Sequence, residues 1–365
     1  MNAPTTAAPR SVSTTNGKVR VLLVDDSVVI RHLVREALES DPGIEVVGAE
    51  ANGLAALARI PAVRPDLVVL DIEMPQMDGL ETLRRIRKEH PRLRTIMFST
   101  LTQRGAAVTL EALSIGADDY VAKAANGGKL DESLSSLRSE LLPKVRQFFS
   151  LPAQNAAKAA LAPMRAAVSR PAPTGKAVVV GIGVSTGGPN ALAKLMAMLP
   201  GDFPLPLLVV QHMPATFTRL LAERLDNGSK VRVCEAEQDM ELAPGKVIVA
   251  RGDYHLRVRN TGRKILATLD QGPHENSCRP AVDVLFRSLA ETFRSGVVSV
   301  VLTGMGFDGL RGTQALKAAG GYSIVQDQET SVVWGMPGAI AEAGLADRVV
   351  PLESVASELV RLAQR

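Results

Sequence analysis

Two cysteines in 365 residues, Cys234 and Cys278, are too few for a disulfide framework and lack a zinc-binding spacing. No run of about 18 apolar residues occurs, so no membrane insertion is expected. The opening MNAPTTAAPRSVSTTNG has no apolar core of signal-peptide length. With neither signal nor span, the expected location is the cytoplasm. Acids are missing from two stretches. Residues 1–20 carry Arg10, Lys18 and Arg20, a charge of +3, and residues 151–176 carry Lys158, Arg165, Arg170 and Lys176, a charge of +4. The whole chain is only +4, so everything else is net acidic. A nucleic-acid-binding face concentrates its basic residues on a folded surface. Here they lie in a tail and a connecting stretch, and no nucleic-acid partner is expected.

What is present fits a globular protein. Hydrophobic residues make up 46% and charged residues 22%, a balance that excludes global disorder. At about 150 residues per domain, the length predicts two or three domains. Residues 1–17 read as a disordered tail. Residues 151–175 are rich in Ala and Pro, lack acids and read as a linker. They separate one domain over 18–150 from a second over 176–365.

Both domains alternate short apolar runs with helical patterns, which predicts parallel sheets covered on both faces. In the first, the runs are Val19–Val24, Ile44–Val47, Leu67–Leu70, Thr95–Phe98 and Tyr120–Ala122. Helical patterns fall near Ser27–Glu39, Leu54–Ile60, Leu80–Lys88, Ala106–Ile115 and Asp131–Phe148. In the second, VVVGIG, LLVVQ, VRV, VIVA, VVSVVL and YSIVQ read as strands. Helices are predicted near Ala191–Met198, Thr216–Leu225, Pro280–Phe293 and Gly309–Ala319. Tyr254–Arg259 and Lys264–Leu269 flank a Thr-Gly turn and predict a hairpin.

In such sheets, functional groups gather at the carboxyl ends of the strands. In the first domain Asp25-Asp26, Asp71, Ser99-Thr100 and Lys123 follow four of the runs. Polar strand ends are ordinary taken singly. Three carboxylates, hydroxyls and an ammonium at one edge are harder to explain as surface. The carboxylates suit Mg2+, one of them can attack a phosphoryl group, and hydroxyl and lysine can bind its oxygens. VDDS, LDIEMPQMDG, FST and ADDYVAK, over about residues 18–148, resemble the receiver domain of two-component response regulators. The resemblance implies a flavodoxin-like fold of five strand–helix units, phosphorylated on Asp71 by a histidine kinase. It implies Mg2+ held by Asp26, Asp71 and the backbone carbonyl of Glu73, with Asp25 assisting. Ser99, Tyr120 and Lys123 are the implied switch residues. Receivers usually have proline directly after the lysine. Ala124 stands there instead, and a cis bond before a non-proline costs about 3 kcal/mol, so this loop is expected to be trans or looser.

In the second domain, AVVVGIG leads into Gly183-Val184-Ser185-Thr186-Gly187, the strand-turn-helix pattern of a nucleophile elbow. A serine needs a base and a group to orient it. His212 follows LLVVQ and so stands at a strand end like Ser185, with His255 on the hairpin as runner-up. His32, His90 and His274 fall on a helix, a helix end and a loop. Asp308 follows VVSVVLTG and is the candidate acid; its bland reading is a helix N-cap. The glycines around Ser185 are one residue too widely spaced for a dinucleotide fingerprint, and the next strand ends in Gln211-His212, with no acid for a ribose.

GIGVSTGGPNAL, VVQHMPATFT, RPAVDVLF and VLTGMGFDG, from about residue 176 onward, resemble the catalytic domain of the protein-glutamate methylesterase and deamidase of bacterial chemotaxis (CheB). The resemblance implies a doubly wound, mainly parallel α/β esterase domain behind the receiver. It implies a triad of Ser185, His212 and Asp308, an oxyanion site at Met305 with Thr186 beside it, and no cofactor for the esterase. The implied substrates are glutamate methyl esters, and also glutamines, on the cytoplasmic helices of chemoreceptors. Cys278 and Ala281 stand where His and Ser are expected in RPSVD, and Arg251 replaces the proline of an APG turn. The alternatives are a phosphorylation-gated binding module serving a non-chemotaxis partner, and a DNA-binding regulator, against which the charge distribution speaks.

Overall fold

Buried parallel strands need apolar residues on both faces, and the chain supplies them in two separate sets. The computed structural model describes residues 17–100, 102–123, 130–149 and 176–364. Nearly all of the expected tail and linker, and Ala124, lie outside them. The chain divides into two compact units, between residues 155 and 156.

In the first unit the elements alternate as β1 (Val19–Val24), α1 (Val28–Glu39), β2 (Ile44–Glu50), α2 (Gly53–Val63), β3 (Leu67–Asp71), α3 (Gly79–Glu89), β4 (Arg94–Ser99), α4 (Gln103–Ile115), β5 (Asp119–Ala122) and α5 (Leu130–Phe148). The strands are parallel in the order β2-β1-β3-β4-β5. Chain direction across the sheet reverses between β1 and β3, so the crevice for ligands opens at their carboxyl ends. Side chains of Ser27, Asn52, Asp78 and Thr102 accept backbone N–H bonds and fix four helix starts. Helix α2 outruns the expectation at its end. It passes Pro61 and stops only at Arg64, whose φ of 44° leaves the helical region.

The second unit has β6 (Val179–Val184), α6 (Gly188–Met198), β7 (Leu207–Gln211), α7 (Ala215–Asn227), β8 (Arg232–Glu235), β9 (Met240–Glu241), β10 (Lys246–Val249), β11 (His255–Asn260) and β12 (Ile265–Asp270). It continues with α8 (Val282–Phe293), β13 (Val297–Val301), α9 (Leu310–Ala318), β14 (Tyr322–Gln326), α10 (Met336–Glu342), β15 (Arg348–Val350) and α11 (Leu352–Ala363). Seven parallel strands run in the order β15-β14-β13-β6-β7-β10-β8. The hairpin forms as expected, β11 against β12, and the short β9 adds a third antiparallel strand. Phe286, Leu285 and Leu289 of α8 pack under the sheet with Leu208, Val210 and Ile248. The chain starts at β6 in the middle, builds outward through β7, then returns to build β13, β14 and β15 on the other side. The reversal lies between β6 and β13, which places the crevice beside the carboxyl end of β6.

Candidate functional site

Strand β1 ends at Val24, so Asp25 and Asp26 emerge at the crevice of the first unit, and β3 delivers Asp71 beside them. Asp25 and Asp71 are buried and Asp26 is exposed. One carboxylate oxygen from each lies within 4.8 Å of the others. Lys123 follows β5, and its ammonium sits 2.7 Å from Asp71 Oδ1 and 3.0 Å from Asp25 Oδ2. Burial pushes Asp71 up, to about 6, against the pull of Lys123 and of the Glu73 backbone N–H. Asp71 Oδ2 is buried without a hydrogen-bond partner. An orphaned carboxylate oxygen in an all-carboxylate cluster fits a small, hard divalent cation.

Ser99, the last residue of β4, is buried, and its hydroxyl accepts from Thr109 Oγ1 of α4 at 2.7 Å. Tyr120 is also buried, with the Lys144 ammonium 5.3 Å from its ring centroid. Burial raises its phenol pKa well above the ordinary value.

In the second unit Ser185 follows β6 directly. Its N–H donates to Thr303 O at 3.0 Å, and its carbonyl accepts from Gly188 N–H at 2.8 Å. The turn into α6 is therefore taken by residues 185–188, with the left-handed conformation at Gly187 (φ 76°). Ser185 itself keeps negative φ, so the positive φ of the turn falls on glycine. Gly304, after β13, lies against the serine. A Cβ there would stand 2.9 Å from Ser185 Cβ and 2.5 Å from Met336 Sδ, so only glycine fits.

His212, after β7, presents Nε2 to Asp308 Oδ2 at 2.7 Å. Asp308 is 3% exposed, and five donors converge on it. Oδ2 also accepts from Val282 N–H at 2.7 Å, and Oδ1 accepts from the N–H groups of Asp283 and Gly309, each at 3.0 Å, and from Asn276 Nδ2 at 2.8 Å. The bland reading of Asp308 as a cap is thus half right. It caps α8 from across the crevice, whereas α9 behind it starts at Gly309 with no side-chain cap. Burial alone would raise the Asp308 carboxyl, but the hydrogen bond and charge of His212 and the α8 N–H groups hold it below the ordinary range. Burial alone would lower His212. Asp308 and the neighbouring Cys278 thiol, hydrogen-bonded to the ring, override that and push it up to about 10.

Among the described residues no hydrogen bond joins Ser185 Oγ to His212. Nε2 is committed to Asp308, and the Cys278 side chain also hydrogen-bonds the ring. His255 is buried with both nitrogens occupied: Nδ1 takes the Ala281 N–H at 3.3 Å and Nε2 meets Pro273 O at 2.9 Å. Thr186 is buried, with its carbonyl bound by Thr303 Oγ1 at 2.9 Å. The N–H of Met305 has no hydrogen-bond partner among the described residues.

Three contributors escape the motif reading. Gln211 Nε2 donates to Ser185 O at 3.0 Å, and Gln326 Oε1 accepts the Thr303 N–H at 2.8 Å. Both close apolar strands, so the strand-end rule could have found them. Asn276 lies in a loop and carries no comparable signal.

Fold and site together define a two-unit α/β protein: a five-stranded unit with a carboxylate cluster and a lysine at its crevice, followed by a unit with a serine, a histidine and an aspartate at its own. Residues 21–135 match the family model of the response regulator receiver domain, and residues 180–359 match that of the CheB methylesterase. A protein-glutamate methylesterase/protein-glutamine glutaminase of Trichodesmium erythraeum is 47% identical over 94% of this chain and 99% of its own length. One from Nocardioides is 49% identical over 94% and 95%. The catalytic domain of the Thermotoga maritima CheB methylesterase is 44% identical, covering 51% of this chain and 99% of its own with a TM-score of 0.50. The chain belongs to the protein-glutamate methylesterase/protein-glutamine glutaminase family.

Proposed function

We propose that the chain removes methyl groups from glutamate γ-methyl esters, and deamidates glutamines, on cytoplasmic chemoreceptor helices, under control of phosphorylation at Asp71. The observation that carries the catalytic part is the short His212–Asp308 contact beside Ser185, on three strand ends around one crevice. Ser185 Oγ attacks the side-chain carbonyl carbon while His212 Nδ1 takes the hydroxyl proton. Asp308, charged and held by four further donors, compensates the imidazolium. The Met305 N–H and the amino end of α6 are available to the oxyanion. Collapse breaks the bond to the leaving group, which departs as methanol or ammonia with the proton from His212. Water then attacks the acyl-serine, gives His212 a proton, and returns the free carboxylate and Ser185. No step needs a metal.

In the receiver, Asp25, Asp26 and Asp71, with the Glu73 carbonyl, would hold Mg2+, which would supply positive charge to offset that of an incoming phosphoryl group. A histidine kinase is the phosphodonor: Asp71 attacks phosphorus, the bond to the donor breaks, and Lys123 pairs with the new phosphoryl oxygens. Ser99 and Tyr120 carry the change to the outer face of β4 and β5. Mass spectrometry after treatment with a fluorophosphonate tests the nucleophile. The adduct is expected on Ser185, and methanol release from methylated receptor membranes stops with it. An adduct elsewhere, with release intact, contradicts the assignment.

A further inference from the structure

The triad acid is held by a residue from a loop with no motif of its own. Residues 275–278 form a tight turn closed by two mutual backbone bonds, Glu275 N–H to Cys278 O at 3.1 Å and Cys278 N–H to Glu275 O at 2.9 Å. Its central residues, Asn276 and Ser277, both have positive φ, 52° and 62°. That is the pattern of a type I′ turn, where Asn and Gly are favoured. The turn is pinned to α8, where Arg287 grips both oxygens of Glu275 at 2.5 and 2.8 Å. The fixed turn aims the Asn276 amide at two buried carboxylates. Nδ2 lies 2.8 Å from Asp308 Oδ1 and 2.9 Å from Asp283 Oδ2. A single nitrogen within reach of two carboxylate oxygens is the NH2 end of the amide, because the carbonyl end would face like charge.

Asp283 is fully buried and takes no part in the chemistry described above. Its other oxygen accepts the Gly312 N–H at 2.6 Å, so it is fixed to α9. Burial pushes its carboxyl up, and the charge of Asp308 adds to this, against the pull of Gly312 and Asn276. Without the amide, two carboxylates would face each other in a buried space. The simple response is for one to take up a proton or turn away, and either weakens the Asp308 hold on His212.

We infer that Asn276, anchored by Asp283, is a positioning residue of the esterase: its amide spans the two carboxylates and keeps Asp308 ionised and aimed at His212. This rests on the triad proposed above. The bland account is that Asn276 is there only for the turn, and one substitution separates the two. Glycine accepts positive φ more readily than asparagine, so Asn276→Gly keeps the turn and deletes the donor. Asn276→Asp keeps the shape and replaces the donor with a third carboxylate.

The test uses the full chain with Mg2+ and a small-molecule phosphodonor, reading methanol release from methylated receptor membranes and the rate at which a fluorophosphonate labels Ser185. Both variants are expected to lose about ten- to a hundredfold in kcat, the range of a lost charge-assisted hydrogen bond. KM is expected to stay within about twofold, and labelling to slow in parallel. Thermal unfolding checks the fold. If a variant is destabilised, labelling is read on the monodisperse folded fraction. Wild-type kcat in Asn276→Gly, or near-wild-type kcat in Asn276→Asp, overturns the inference. Release that persists in Ser185→Ala refutes the triad itself, so the two failures are distinguishable.

Discussion

At the level of single residues, the two ring nitrogens of His212 have opposite duties. With Nε2 tied to Asp308, Nδ1 is the proposed base, and a base works only when neutral. Since Asp308 and Cys278 push the ring pKa up, kcat/KM is expected to rise with pH through the neutral range toward about 10. Cys278→Ala removes one of the raising influences, so the rise should move to lower pH. A pH–rate profile that stays put, or moves the other way, contradicts that role for the thiol. His212→Ala should resemble the serine knockout, while His255→Ala, which loses only the two loop bonds, should keep most of its kcat if folded. Asp308→Asn should lose on the order of 10⁴-fold in rate if it behaves like a protease triad acid. Most of this site was legible in the sequence, because a doubly wound sheet turns the residue after each strand into a crevice residue. Ser185 and His212 directly follow apolar strands, and Asp308 lies in the loop after a third. Asn276 was not legible, because its position depends on how one loop folds back onto α8.

At the level of elements, Asp308 does two jobs at once. It serves His212 and also accepts the first N–H groups of α8, whose own N-cap residue, Ala281, offers no side-chain acceptor. Asp308→Ala should therefore cost stability as well as activity, by about 1–3 kcal/mol for the buried donors left unpaired, whereas Ser185→Ala should cost little. Denaturant unfolding of the two variants measures the difference; equal midpoints contradict the cap. The pH dependence has a definite sign. The folded-state carboxyl of Asp308 lies below its unfolded value of about 3.9. Its contribution is therefore fully present above that value and disappears as pH falls through the folded pKa.

Length and periodicity do not make every element readable. The twelve-residue α11 carries its buried residues Leu352, Val355, Ala356 and Leu359 at helical spacing, yet it is absent from the sequence-based helices. Strands β9 and β15, two and three residues long, are too short to show alternation. They exist because neighbours already in place offer them a free edge.

At the level of the whole molecule, the chain joins a phosphorylatable unit to a hydrolytic one. The covalent order alone fits control of one by the other: in a two-state receiver, phosphorylation would shift the balance by no more than the difference in affinity of the two states for the esterase. A fragment starting near Ala172 should be more active than the unphosphorylated full chain and indifferent to phosphodonor. A fragment no faster than the resting chain removes the inhibitory role. Phosphorylation replaces the single negative charge of the Asp71 carboxylate with roughly two on the acyl phosphate, beside the Lys123 ammonium already 2.7 Å away. The most direct test is methanol release from methylated chemoreceptor membranes by the full chain, with Mg2+, before and after adding a small-molecule phosphodonor, alongside Asp71→Asn. The account predicts that the donor raises release in the wild-type chain and leaves Asp71→Asn at its basal rate. No release from the wild-type chain, or a donor response that survives Asp71→Asn, would contradict it.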